Sequence, residues 1–397
     1  MKMSENKEAD EDTTQHKIQE INITETERRC SGSAVPLQDI YVAYEVETVV
    51  QEPKQTLHVV WRRYSDFECL RVHLQETYPY VVVPPLPEKK VMYRWQRLPV
   101  DRLDPDFVER RRTGLENFLR RVSNHKVLSG AQVFFLFLMK DASWRDNLVT
   151  TGLLQRADNA LRSFSASMRI KSPNTEFEEM KSYSGELQSS LSNVLRIRAK
   201  LADRTYGLHQ LHQNYGRVLS EWSRLERGNC GDSFQRAGQF MDKLAQCALP
   251  WLEEQEPMAD RLKEYLFYTD SLNAVCRHHE ILQYELEKKE AMSTAVKDTH
   301  KSQTSFEEVD QGSSTGNLVS RLLSPTATSA SADQQVQSLH GQIHQLSQEK
   351  QEFCEKARAE MKQFQEQKDA DVKDALILYV ITQIKLCNDA LSVWRSL

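Results

Sequence analysis

Residues 61–70 read WRRYSDFECL, and the character of the chain changes within them. Upstream, Ile40, Val42, Tyr44 and Val46 alternate with polar residues. Leu57, Val59 and Trp61 repeat the same period of two, with Gln51-Glu52-Pro53-Lys54-Gln55 between the runs. Apolar side chains at every second position mark strands, so this stretch forms a β-hairpin. Ser65 then opens S-D-F-E, the spacing at which Ser65 and Glu68 would satisfy each other's free backbone donors at a helix start. The helix runs toward Tyr78, where Pro79 stops it.

Downstream, VVVPPLPEKK (81–90) places three prolines in four residues and forces an extended arm. VMYRWQRLP (91–99) is an irregular loop mixing bulky apolar residues with arginines. From Asp104 to His125 the spacing predicts a helix with Phe107, Val108, Leu115, Phe118, Leu119 and Val122 on one face and Arg110, Arg111 and Arg112 opposite or flanking. A short apolar helix ends near Lys140, which completes a small α+β domain over residues 30–141. Met1 to Arg29 carries eight Asp/Glu and five Lys/Arg, and residues 1–29 read as a disordered acidic arm.

Beyond 141 the strand signals vanish. Residues 142–172 form an amphipathic linker, with Leu153, Leu154, Ala157, Leu161, Phe164 and Met168 at helical spacing. Met180, Leu187, Val194, Leu201, Leu208, Tyr215 and Trp222 then recur every seven residues, a dimer or bundle seam roughly 63 Å long at 1.5 Å per residue. A second seam, Phe177, Ser184, Leu191, Arg198, Thr205, His212 and Leu219, is polar in its middle. Gly228-Asn229-Cys230-Gly231 breaks this helix. Asp232 caps a second that runs to about Glu308, kinked by Pro250 and Pro257. Residues 311–333 are a flexible insert. A third helix from about Gln334 ends in DALILYVITQIKLCNDALSVW (374–394), apolar enough to be buried on several sides.

The 397 residues are 39% hydrophobic and 27% charged, with a net charge of −5, so any basic surface must be local. The longest apolar run, Val133 to Met139, is far short of a membrane span, and the charged N-terminus is not a secretory signal, so the expected compartment is the cytosol. Seven cysteines without a C-x-x-C pair fit reduced thiols. No enzyme is expected. Gly312-x-Ser314-x-Gly316 lacks the strand and helix that a nucleophile elbow needs, and no glycine-rich phosphate loop is present. His340 and His344, four apart, have no third ligand nearby, and His278-His279-Glu280 is equally weak, so neither metal nor cofactor is expected. The strongest chemistry is basic: Arg62-Arg63 before the helix, Lys89-Lys90 closing the proline arm, and Arg110-Arg111-Arg112. Strand alternation lets only one of Arg62 and Arg63 enter a shared groove, and Arg63 lies beside the helix start, where an anionic phosphate is favoured.

WRRYSDFECL, VVVPPLPEKK and DPDFVERRRTGLENFLRRV (104–122) resemble, in this order and at these separations, the three defining segments of a Phox-homology (PX) domain. EWSRLE (221–226), DRLKEYLFYTDSLNAVCRHHE (260–280) and FQEQKDADVKDALILYVITQI (364–384) resemble the BAR domain of PX-BAR sorting nexins. The resemblance implies an α+β PX domain followed by an all-α three-helix BAR domain over 173–397 that dimerises as a curved bundle. It implies that Arg63 meets the 3-phosphate of phosphatidylinositol 3-phosphate, Tyr64 supports the inositol ring, Ser65 adds a helix-end contact, Lys89 meets the 1-phosphate and Arg111 reads the ring hydroxyls. Arg110 and Arg112 are then flanking charge. Val91, Met92, Tyr93 and Trp95 resemble the loop that dips into lipid. Arg196, Arg198, Lys200 and Arg204 are candidates for a membrane-facing basic surface. The implied protein is a peripheral adaptor of early endosomes, a homodimer or a heterodimer with another PX-BAR sorting nexin, with no nucleic-acid partner. The alternative is a cytosolic coiled-coil scaffold whose basic domain binds a protein or nucleic acid.

Overall fold

The structure, a computed structural model, describes residues 17–30, 40–51, 55–89, 103–139, 144–145, 170–309 and 326–396. The lipid-loop residues Val91, Met92, Tyr93 and Trp95, most of the 142–172 linker, the 312–316 motif and the first sixteen residues lie outside that set. Two compact units are formed. The first takes in residues to Tyr78 and from Val83 to Asp158, and the second takes in Pro79–Val82 and the chain from Asn159 onward.

In the first unit, β1 (Lys17–Cys30), β2 (Ile40–Gln51) and β3 (Gln55–Arg63) make an antiparallel sheet in the order β1-β2-β3. β1 corrects the reading of residues 1–29 as a disordered arm, since from Lys17 the chain is a strand paired with β2 from Lys17↔Gln51 to Cys30↔Ile40. Charge misled the reading because, among its described side chains, β1 buries Ile21 and Ile23 and leaves its charged residues outside the core. The β2–β3 register pairs Val46 with Val60 and Tyr44 with Arg62. Cross-strand partners share a face, so the even-numbered residues of β3 face the core, while Leu57 and Val59 are exposed.

Helices α1 (Tyr64–Thr77), α2 (Pro105–Asn124) and α3 (Gln132–Met139) cover the sheet. Their apolar faces bring Phe67, Leu70, Leu74, Phe107, Leu115, Phe118, Leu119, Phe134 and Phe137 into one core with Tyr44 and Val46. The α1 start is also a correction. Arg63 occupies the cap position and its N–H donates to Asp66 Oδ2 at 2.9 Å, so the cap lies two residues before the S-D-F-E reading and Glu68 is free for another partner. Asp104 caps α2 through the Phe107 N–H, with Pro105 in the first turn where no donor is missed. Arg112, read as flanking charge, is structural: its guanidinium binds Glu109, Glu116 and the Ile23 carbonyl, and so ties α2 to β1.

In the second unit, α4 (Thr175–Ser223) is followed by α5 (Asn229–Gln246), α6 (Ala248–Glu254), α7 (Glu256–Val309) and α8 (Thr326–Arg395). Gly228, not Asp232, precedes the first turn of α5. Pro250 and Pro257 each fall in the first turn of a new segment. The joints at Cys247 and Gln255 retain helical φ/ψ, so the predicted single helix is divided into segments there without unwinding. α8 begins at Thr326, inside the stretch read as a flexible insert. α4 and α5 touch backbone to backbone, since a Cβ on Gly216 would sit 2.8 Å from the Gly238 carbonyl and 2.5 Å from an Asp242 carboxylate oxygen.

The seven-step seam divides. Met180 is buried and Leu187 half-buried, but Val194, Leu201, Leu208, Tyr215 and Trp222 are exposed. The intrachain core takes the other seam, with Phe177, Ser184, Leu191, Arg198 and Leu219 buried beside Leu195 and Ala202. This happens because α5 and α7 pack on that face of α4. Arg198 therefore leaves the basic surface set: its Nη2 donates to Glu256 at 2.6 Å, with both side chains over nine-tenths buried. Arg196, Lys200 and Arg204 remain exposed.

The apolar end of α8 is corrected too. Leu376, Ile377, Val380, Ile381, Ile384, Leu391 and Trp394 are exposed, because within the chain α8 packs mainly on α7 through Phe353, Ala357 and Phe364. One 18-residue window in Val336–Arg395, with a mean hydropathy of 1.3, meets the composition of a membrane span although polar residues interrupt its apolar runs.

Candidate functional site

The basic site in the first unit is assembled by where its segments meet. β3 ends at Arg63 and α1 begins at Tyr64, so Arg63, Tyr64 and Ser65 surround a helix start whose first N–H groups have no intrahelical acceptor. Beyond Val83 the proline arm runs beside α2. The contact is close because residue 114 is glycine: a Cβ there would lie 2.6 Å from Pro87 Cβ. Arg71 Nε holds the arm from below by donating to the Pro84 carbonyl at 3.1 Å. The arm's end, Lys89, is thereby delivered to Arg111 on α2.

The side chains meet around Tyr64. Its hydroxyl donates to the Pro87 carbonyl at 2.8 Å, and its ring lies under the Arg111 guanidinium at 4.8 Å and the Lys89 ammonium at 5.9 Å. Burial, followed by the Glu68 charge, pushes the Tyr64 hydroxyl up to about 12, so it stays a neutral donor throughout the physiological range. Arg111 is itself buried. Its Nη2 donates to the Lys89 carbonyl at 3.1 Å, Phe107 lies 4.3 Å beneath the guanidinium, and its Nε is buried without a hydrogen-bond partner. Lys89 Nζ pairs with Glu68 at 3.0 Å and is widely exposed. Ser65, the second residue of α1, is half-buried.

Arg62 and Arg63 diverge as strand alternation requires. Arg62 is 1% exposed, donates to the Phe137 carbonyl from Nε at 3.0 Å and from Nη2 at 2.7 Å, and lies over the Phe137 and Trp144 rings. It is a core bracket. Arg63 stays half-exposed beside Tyr41, with its Nε 3.6 Å from Asp66 Oδ1. The structure thus brings Tyr64, Lys89 and Arg111 into contact, with Arg63 and Ser65 at the adjoining helix start.

Sequence reading missed Asp66, which caps α1 and faces Arg63; its place three residues after the cap was the available signal. It also missed Arg145, whose guanidinium contacts Asp66. Glu68 appeared only as a cap partner, yet it is the counter-ion of Lys89.

Comparison with known proteins follows this geometry. Residues 50–141 match the PX domain family. Mouse sorting nexin-4 is 42% identical over 392 residues, covering 95% of this chain and 85% of the relative, and human sorting nexin-4 is 41% identical over the same shares. Sorting nexin-30 of Xenopus tropicalis is 29% identical over 68% of this chain and 62% of the relative. Among solved structures, the cryo-EM structure of the SNX-BAR Mvp1 tetramer superposes with a TM-score of 0.59 at 17% identity, covering 95% of this chain and 99% of that one.

Proposed function

The chain belongs to the PX-BAR sorting nexins, and from that membership we propose that it binds phosphatidylinositol 3-phosphate through its PX unit and joins curved early-endosomal membrane as a BAR dimer. At a coarser level it is a membrane-associated trafficking protein, peripheral on the cytosolic side. The proposed role is that of an adaptor rather than an enzyme, in endosomal sorting and recycling and in autophagy-related trafficking.

The observation that carries this reading is the convergence of Lys89 and Arg111 over Tyr64 next to Arg63 at the start of α1. Three cations of different reach suit a ligand with two phosphates and a polyhydroxylated ring between them. Arg63 takes the 3-phosphate, Ser65 adds a helix-end contact, Lys89 takes the 1-phosphate, Tyr64 supports the ring and Arg111 reads its hydroxyls. Val91, Met92, Tyr93 and Trp95 come just after Lys89-Lys90 in the chain and would enter the lipid beside the bound head group.

The exposed strips of α4 and α8 support dimerisation. Val194, Leu201 and Leu208 on one helix, with Ile377, Ile381 and Ile384 on the other, are large apolar residues without cover in the single chain. A second PX-BAR chain, identical or related, would bury them. One head group gives roughly micromolar affinity, about −8 kcal/mol, and two PX units on one dimer would raise attachment by roughly 10²- to 10⁴-fold. Flotation of the purified protein with liposomes is the test. Recovery with vesicles containing phosphatidylinositol 3-phosphate and not with matched vesicles lacking it supports the reading, and equal recovery from both overturns it.

A further inference from the structure

Arg145 lies outside every motif of the sequence reading. Trp144 beside it is 1% exposed, and its ring meets the edge of Phe137 at 5.1 Å and 82°. Phe137 in turn packs edge-on against Phe67 of α1 at 5.1 Å. The aromatic stack that fixes α1 thus also fixes the backbone carrying Arg145. Its guanidinium contacts Asp66 Oδ1 through Nη2, the same oxygen that Arg63 Nε faces at 3.6 Å. The other oxygen of Asp66 is occupied by the Arg63 N–H.

One carboxylate therefore serves two guanidinium groups, and both stay accessible, at 38% and 39% side-chain exposure. Among the described residues Asp66 is the carboxylate that both arginines face, and one carboxylate neutralises only one of them. Burial, and then the charge of Arg63 beside it, pushes the Arg145 guanidinium below its ordinary range. A phosphate monoester near pH 7 carries close to two negative charges and three acceptor oxygens, which matches two arginine forks better than one.

We propose that Arg145 is a second phosphate-binding arginine, which joins Arg63 on the monoester phosphate of a phosphoinositide head group at the start of α1. The inference rests on the lipid reading above and deepens it. The residue is supplied by the segment after α3 rather than by the three quoted motifs. Asp66 acts as a place-holder for the phosphate, keeping the two guanidinium groups side by side in the unliganded chain. The pair favours a monoester phosphate over a phosphodiester, whose single charge would leave one arginine unmatched.

Calorimetric titration of the full chain with dibutanoyl phosphatidylinositol 3-phosphate tests this, using the parent, Arg63→Gln, Arg145→Ala and Arg145→Lys. The expected result is binding by the parent, about hundredfold weaker binding in Arg63→Gln, and about tenfold weaker binding in Arg145→Ala. Arg145→Lys should recover part of that loss, because it restores the charge without the two-pronged fork. Inorganic phosphate should compete against the parent more effectively than against Arg145→Ala. Thermal melts of each variant separate a loss of ligand from a loss of fold. If Arg145 only braces Asp66, its removal lowers Tm and leaves the affinity unchanged; that outcome overturns the inference while leaving the lipid reading intact. If the parent does not bind the lipid analogue, both fall. Binding of inorganic phosphate without the lipid analogue overturns the inference in favour of a free-phosphate site.

Discussion

The two units differ in how much of their proposed work one chain can complete. In the first, every cation of the site already has a seat in the same polypeptide: Arg111 on Tyr64 and the Lys89 carbonyl, Lys89 on Glu68, Arg63 on Asp66. In the second, large apolar side chains on α4 and α8 face solvent at about half their full exposure. A preformed polar site loses little on binding, because the ordering of its side chains is achieved on folding. An uncovered strip gains roughly 1.5–3 kcal/mol for each such residue once fully buried, and only a partner can supply that burial. Recognition is therefore assigned to the single chain and strength of attachment to the assembly.

The sharpest way to break this contrast is a carboxylate on each exposed strip, one on α4 and one on α8. Leu201→Asp combined with Ile381→Asp should leave the single chain folded, since both positions are exposed in it, while abolishing dimerisation and liposome tubulation. Two unpaired carboxylates in the interface cost several kcal/mol. Leu195→Asp, on the buried face, should instead melt the unit. Light scattering and circular dichroism together check both halves. A Leu201→Asp, Ile381→Asp protein that stays dimeric would show that the strips are not the interface.

Next in size is the buried ion pair. Glu256→Gln keeps the shape of the side chain but leaves Arg198 without a counter-charge, and its guanidinium already has two nitrogens without partners. The expected loss is about 3 kcal/mol, roughly 10 °C in Tm by calorimetry, confined to the second unit. Lipid binding by the PX unit should persist through the first melting step.

Arg63→Gln tests the other side of the contrast. It should lower affinity for a soluble phosphatidylinositol 3-phosphate analogue by about a hundredfold, leaving the oligomeric state and Tm of the second unit unchanged. Lowered affinity together with loss of the dimer would mean that the two units are not separable in this way.

The smallest effect is a titration. His279 stacks flat on Phe177 at 3.9 Å, and burial, with Lys350 beside it, pushes its pKa down to about 4 from 6.5. Between these values the unfolded chain binds the proton and the folded one does not, so stability rises as pH climbs from about 4 to 6.5 and falls on acidification. Melts of the parent and of His279→Phe should differ in slope across that window, with the slope shallower in the variant.

What was legible in the sequence follows from local rules. Arg62 and Arg63 had to diverge because strand side chains alternate, and they do: one brackets Phe137 and the other faces outward. Pro250 and Pro257 had to interrupt the long second helix, and it is divided at Cys247 and Gln255, just before each. The misses are of another kind. β1 looked like a charged arm because a strand with one buried face needs few apolar residues, and its partners in β2 begin ten residues further on. Ser65 and Glu68 satisfy the pattern of a capping box, but the sheet register ends β3 at Arg63, and Asp66 takes the cap.

The β2–β3 hairpin, the helix-start cations and the two seams of α4 are properties of the sequence alone, since they depend on steric preferences and spacing within a few residues. Which seam is covered is not. Phe177, Ser184, Leu191 and Arg198 are buried because α5 and α7 return to that face, and Val194, Leu201 and Leu208 are left outside, although the second set is the more apolar. In the same way Arg145 and Arg63, eighty-two positions apart, share one carboxylate only because Trp144 closes on Phe137. Periodicity states that a helix has an apolar face, but the free energy of burying that face depends on what arrives opposite it. That is decided by contacts between residues far apart in the chain, which only the tertiary structure brings together.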